Sequence, residues 1–151
     1  MIIEKKIQEL GIDLPISSPP GAMYVPVKQL GNALFVSGQI PTKNGKPLYT
    51  GKVGDTVTQE QAEACARQCV INMIAAVKDY LGNLDKVKNV VKLQAFVNSK
   101  IGFQNQHLVV NAASQLLFDV FGETGRHART AVGTNQLPMD MPVEIEAIFE
   151  V

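Results

Sequence analysis

The sequence predicts an α/β protein of the α+β kind, with two long helices packed on one face of a single mixed sheet. Three observations carry that expectation. Apolar residues recur at helical spacing in two long stretches, one closing at Gly82 and one at Gly122. Segments of strand character surround them, so the element order reads hairpin, helix, strand, helix, two strands. The 151 residues are 46% hydrophobic and 19% charged, which supplies one sizeable core and is too apolar for a disordered chain.

Ile2 to Leu10 reads as a short amphipathic helix, with Ile3, Ile7 and Leu10 on one face and Gly11 as the stop. Those side chains want burial, so the helix is expected to cover a rim of the assembled protein. Asp13 to Gly21 holds Pro15, Pro19 and Pro20 and reads as a connecting loop. The expected organisation is an N-terminal helix and Pro-rich extension over 1–22 and a single domain over 23–151. Met23 to Leu30 alternates as a strand. Gly31-Asn32 turns the chain, and Ala33 to Ser37 completes a hairpin. Pro41 to Gly51 is a turn-rich excursion around Asn44-Gly45.

Thr58-Gln59-Glu60-Gln61 has the form of a capping box, in which the Thr58 hydroxyl and the Gln61 side chain serve free backbone amides. Ala62, Cys65, Ala66, Cys69, Met73, Ala76, Val77 and Tyr80 then mark one side of a helix that Gly82 ends. Val90 to Val97 is rich in branched and apolar residues and reads as a largely buried strand. The second helix runs from about Gln104 to Phe121. Its apolar arc is wide, from Leu108 and Val109 to Leu117 and Val120, so both its sides are expected to be covered. Two strands close the chain. In the last, Val143, Ile145, Ala147 and Phe149 point one way, and Glu144, Glu146 and Glu150 the other.

The bulk numbers exclude several functions. Fourteen basic residues balance fourteen acidic ones, whereas gripping nucleic acid needs a basic face. Cys65 and Cys69, four apart on one helix, suit neither a disulfide nor a metal site and read as small buried apolar groups. No apolar run approaches a membrane span, and the first ten residues mix Ile with Glu and Lys, unlike a signal peptide. A soluble, cytoplasmic protein is expected.

The chemistry concentrates near the C-terminus. The chain has three arginines, Arg67, Arg126 and Arg129, and the last two open the final segment. Arg129 begins one strand, and the next carries acids on one face. A guanidinium fork near a carboxylate is a ready site for a small carboxylated substrate and a water. Arg126 competes for that role. His107 and His127 offer a paired-imidazole alternative of the ribonuclease kind. The balanced charge and the lack of an aromatic-basic stacking motif count against it.

Three segments together resemble the Rid family of reactive-intermediate deaminases, also called the YjgF family. They are Leu34-Phe35-Val36-Ser37-Gly38-Gln39-Ile40-Pro41, the Phe96-Val97…Asn111 region, and Ala128-Arg129…Leu137-Pro138…Val143-Glu144-Ile145-Glu146-Ala147. The similarity runs from about Tyr24 to the C-terminus. It implies a chorismate-mutase-like fold, a homotrimer with clefts between subunits, and hydrolysis of enamine or imine intermediates such as 2-aminoacrylate to 2-keto acids and ammonia. Carried over residue by residue, it implies that Arg129 clamps the substrate carboxylate and that Glu144 positions or activates the water. Tyr24, Ser37, Gly38 and Asn111 would line the cleft. The family's deaminases usually carry Pro two residues before the arginine and often Cys two after it; here His127 and Ala131 stand there. Ala131 keeps the backbone contribution and loses any thiol role. The N-terminal extension points to a longer subgroup that carries an endoribonuclease label. The chemistry requires no metal and no organic cofactor. A non-catalytic protein that binds small carboxylates in the same cleft is the alternative from another class.

Overall fold

The computed structural model describes residues 1–17 and 23–151. Its elements follow the expected order: helix α1 (Ile2–Glu9), strands β1 (Val27–Leu30), β2 (Ala33–Gln39), β3 (Thr42–Lys43) and β4 (Lys46–Pro47), helix α2 (Gln59–Leu81), strand β5 (Asn89–Asn98), helix α3 (Gln106–Phe121), and strands β6 (Ala128–Thr134) and β7 (Val143–Glu150). The main sheet has the order β1-β2-β7-β5-β6, with β5 and β6 parallel and the other neighbours antiparallel. Helices α2 and α3 lie side by side on one face, as the sequence predicts.

The long helix follows its signals closely. Thr58 caps α2 by accepting from the Gln61 amide, the Gln61 side chain accepts from the Thr58 amide, and Gly82 ends the helix in a left-handed conformation. Asn44-Gly45 forms the positive-φ turn of the small β3–β4 hairpin inside the turn-rich excursion. Cys65 and Cys69 are both free and buried in the core.

Four expectations need correction. The first strand starts at Val27 rather than Met23, because Pro26 has no amide to give the ladder and contributes only its carbonyl, which accepts from Ser37 N. Tyr24 therefore sits in a bend. Strand β5 is buried on one face only: Leu93, Ala95 and Val97 point into the core, while Lys92 and Gln94 lie toward the uncovered face. Helix α3 starts at Gln106, two residues later than expected. That helix, expected to be covered on both sides, leaves Asn111 exposed.

Helix α1 buries its apolar face against its own chain. Ile7 is 2% exposed, and α1 packs against α3 and the short 3-10 turn Leu84–Lys86. Asp85 accepts from the Ile2 and Ile3 amides at 2.9 Å each, filling the role of a cap that Met1 cannot supply. Glu4 returns the favour by accepting from the Leu84 amide at 2.9 Å. The loop expected over Asp13 to Gly21, and the boundary at 22, fall partly outside the described residues.

Candidate functional site

Register assigns each site residue to a sheet face. Arg129 on β6 pairs with Leu93 on β5, which pairs with Ala147 on β7, which pairs with Val36 on β2. Paired residues in neighbouring strands share a face. Leu93, Ala147 and Val36 are buried under the helices, so Arg129 lies on the helix face. Glu144 is three residues from Ala147, an odd step, so it points the other way. Its own row joins Phe96 and Val132 on the uncovered face. The arginine and the acid expected to share a crevice thus sit on opposite faces within one chain.

On the helix face, Arg129 stands at the sheet edge, where the apolar row runs out. Its Nη1 donates to Asn111 Oδ1 at 2.9 Å and to Ser114 Oγ at 3.2 Å, and Nη2 donates to the His107 carbonyl at 3.4 Å. All three acceptors come from one face of α3, at spacings of four and three residues. None carries a charge. The salt bridge found among the described residues joins Arg126 Nε to Glu123 Oε2 at 2.9 Å. Arg126 also lies 4.8 Å from the centre of the Phe118 ring, so it is committed elsewhere. Arg129 is left half-buried, oriented and without an acid. Ala131, two residues along the strand, is half-buried on the same face.

His127 is fixed rather than free. Its Nδ1 lies 2.7 Å from the Gly125 carbonyl and its Nε2 lies 2.9 Å from Ser114 Oγ. Burial lowers its pKa below the ordinary imidazole value, and Arg129 adds to the lowering against the Gly125 carbonyl. With both nitrogens engaged, it is a poor partner for His107 in acid–base cleavage.

The uncovered face holds the other residues. A β-bulge in β2 places Ser37 and Gly38 together between the Val36–Ala147 and Gln39–Ile145 pairs. The Ser37 hydroxyl donates to the Val25 carbonyl at 2.7 Å, which holds the bend that presents Tyr24. A Cβ on Gly38 would stand 2.8 Å from Glu144 Oε1, so any side chain there would have to push that carboxylate out of its present position. Burial, and secondarily the neighbouring Glu146, raise the Glu144 pKa. Beside them opens a cavity of about 740 Å³ lined by Tyr24, Lys28, Ser37, Lys92 and Glu146 among others.

The sequence-predicted residues therefore form two groups: Arg129 and Ala131 with Asn111 of α3 on the helix face, and Tyr24, Ser37, Gly38 and Glu144 on the open face. Sequence reasoning missed Ser114. Its signal was a polar stripe on an otherwise apolar helix, His107, Asn111 and Ser114, at spacings of four and three. It also missed Asn98, fully buried, whose Nδ2 donates to Gln136 Oε1, Asp140 Oδ1 and the Met141 carbonyl. Lys52 donates to Asn98 Oδ1 at 2.8 Å and to the Asn135 carbonyl, tying the loop between β6 and β7 to the end of β5. No cluster of potential metal ligands occurs among the described residues, and no helix there is long and apolar enough to cross a membrane.

Comparisons with known proteins give the chain's family and fold. A family model described as "YjgF/chorismate mutase-like, putative endoribonuclease" matches residues 4–148. Protein TCP17 of Trypanosoma cruzi is 43% identical over 149 residues, covering 98% of this chain and 93% of that protein. The 2-iminobutanoate/2-iminopropanoate deaminase of Escherichia coli (strain K12) is 37% identical over 125 residues, covering 83% of this chain and 84% of the enzyme. The crystal structure of Atu1372, a protein of unknown function from Agrobacterium tumefaciens, superposes with a TM-score of 0.93 at 47% identity, over 99% of this chain and 92% of that one. A family match across nearly the whole length, joined to that fold, establishes that the chain belongs to the YjgF/chorismate mutase-like family, the Rid family that its motifs resemble.

Proposed function

We propose that this protein is an enamine/imine deaminase, a hydrolase that converts 2-aminoacrylate-type intermediates to 2-keto acids and ammonia. In this reading the site is completed between subunits of a homotrimer. The observation that carries it is the Arg129 guanidinium, held by three neutral acceptors and lacking an acid, at the edge of the sheet. An oriented, uncompensated fork is a receptor for a carboxylate. The acid that would activate water lies on the opposite face, so the edge of one subunit has to meet the open face of another. The open face supports such docking: Tyr24, Val25 and Phe35 expose 52, 53 and 44% of their surface there. Among the described residues β6 is an edge strand with one backbone edge unpaired.

Binding the substrate carboxylate on Arg129 fixes the adjacent C=N carbon in space. Glu144 from the neighbouring subunit holds a water against that carbon and takes its proton as the C–O bond forms. The same carboxyl returns that proton to the nitrogen, giving the tetrahedral adduct, and then relays the adduct's hydroxyl proton to the nitrogen as C=O forms, the C–N bond breaks and ammonia leaves. A carboxyl with a raised pKa suits both halves of that exchange. Neither metal nor organic cofactor takes part. The deaminase name of the Escherichia coli relative supports the reaction class.

A coupled assay tests the proposal. A threonine or serine dehydratase supplies the imine, and keto-acid release is followed with and without the protein. Release no faster than the uncatalysed rate removes the deaminase reading. In that case, binding of pyruvate that disappears in Arg129→Ala would assign the cleft to a non-catalytic carboxylate-binding protein.

A further inference from the structure

Ser114 accepts a hydrogen bond from Arg129 and also touches His127, so the three side chains form one connected line. Its direction follows from chemistry. The Gly125 carbonyl can only accept, so His127 Nδ1, 2.7 Å away, carries the proton. In the neutral ring Nε2 is then an acceptor, and the Ser114 hydroxyl, 2.9 Å away, donates to it. That leaves the Ser114 oxygen lone pairs for Arg129 Nη1. Each bond polarises the next in the same sense.

We propose that His127 is a positioning residue for Arg129: by taking the Ser114 proton it makes Ser114 an obligate acceptor, and so fixes the orientation of the guanidinium. A protonated His127 would donate to Ser114 instead. Two cationic donors would then converge on one hydroxyl, and the fork would lose its fixed orientation. The residue that departs from the deaminases' usual proline thus acquires a purpose that proline cannot serve, because proline has neither nitrogen. The consequence for ligand binding rests on the carboxylate-clamp reading of Arg129, while the line of hydrogen bonds itself does not.

Two measurements separate these layers. Long-range proton–nitrogen correlation spectra of the free wild-type protein at pH 7.5 read the His127 tautomer without any ligand. A proton on Nδ1 and a bare Nε2 are expected. A proton on Nε2, on either a neutral or a cationic ring, overturns the proposal. The second measurement is pyruvate affinity, by calorimetric titration of wild type, His127→Phe and His127→Gln, each checked for wild-type oligomer size. Loss of the neutral hydrogen bond that fixes Ser114 as an acceptor for Arg129 predicts about tenfold weaker binding for the phenylalanine variant. His127→Gln, whose side-chain oxygen can still take the Ser114 proton, is expected to recover most of it. Equal affinity in wild type and His127→Phe, or equal loss in both variants, overturns the positioning role. Arg129→Ala serves as the control for the clamp: if it binds pyruvate as wild type does, the clamp reading fails, and the tautomer spectrum alone decides the hydrogen-bonded line.

Discussion

Arg129 and Glu144 stand on opposite faces of the same sheet: Arg129 extends the buried row of Val36, Ala147 and Leu93, and Glu144 joins the open row of Phe96 and Val132. No rotamer of either side chain carries it through a close-packed sheet. A reaction that needs both must bring two chains together, and each prediction below follows from one side of that division.

On the helix face, charge alone is not sufficient. Arg129→Lys keeps a cation but loses the planar fork and its bonds to Asn111 and Ser114. A fall in kcat/KM of about tenfold or more is expected for lysine, and on the order of a hundredfold or more for alanine. Steady-state kinetics in the coupled assay measure both. Equal activity in wild type and Arg129→Ala would remove the clamp.

On the open face, Gly38→Ala places a methyl 2.8 Å from Glu144 Oε1, closer than a Cβ can stand. The carboxylate has to move by a few tenths of an ångström or more. An imine carbon and a water held within hydrogen-bond reach do not tolerate that well, and kcat is expected to fall about ten- to a hundredfold. KM should change little, because Arg129 lies elsewhere. A crystal structure of the variant would show the displaced Glu144.

The raised Glu144 carboxyl has a thermodynamic signature. In the folded protein it keeps its proton at pH values where the unfolded chain has lost it. Its contribution to stability is therefore full below the ordinary glutamate range and is lost as pH rises through the raised value. Glu144→Gln removes that loss, so the difference in Tm between variant and wild type should grow in the variant's favour as pH climbs from 4 toward 7. A difference independent of pH would show that the carboxyl titrates normally.

How far could the sequence foretell this arrangement? The α2 boundaries were legible because Thr58, Gln61 and Gly82 act within one turn of the helix end. The two-faced character of β7 was legible because its acids alternate strictly with core residues. The face of Arg129 was not. β6 alternates Ala128, Thr130 and Val132 against Arg129, Ala131 and Gly133, and neither set is plainly the buried one. Its register depends on the parallel pairing with β5, which only tertiary structure sets. The early start expected for β1 failed at Pro26, a residue visible in the sequence whose missing amide outweighs the alternation around it. Ser114 escaped notice because a lone serine in a helix is ordinary until Arg129 and His127 are seen to meet on it.

Helix α1 is anchored independently of the site. Ile7→Ala opens a cavity at a position 2% exposed and should cost about 2–4 kcal/mol, typical of a large core side chain cut to alanine. Deaminase activity at permissive temperature is expected to persist, because α1 and α3 share a groove at Phe118 to Gly122, past Asn111 and Ser114. Thermal denaturation and coupled assays on the same sample measure the two outcomes. Lost activity in a folded variant would tie α1 to the reaction.

The division of the site between chains is tested most directly by mixing. Arg129→Ala and Glu144→Gln, each inactive alone, are unfolded, combined in equal amounts and refolded, and formation of mixed oligomers is verified by native mass spectrometry. In a cyclic trimer each mixed assembly contains one junction where an intact Arg129 faces an intact Glu144, so random mixing should recover about a quarter of wild-type activity. Mixed trimers that form and remain inactive at every ratio would contradict a site built from one residue of each chain.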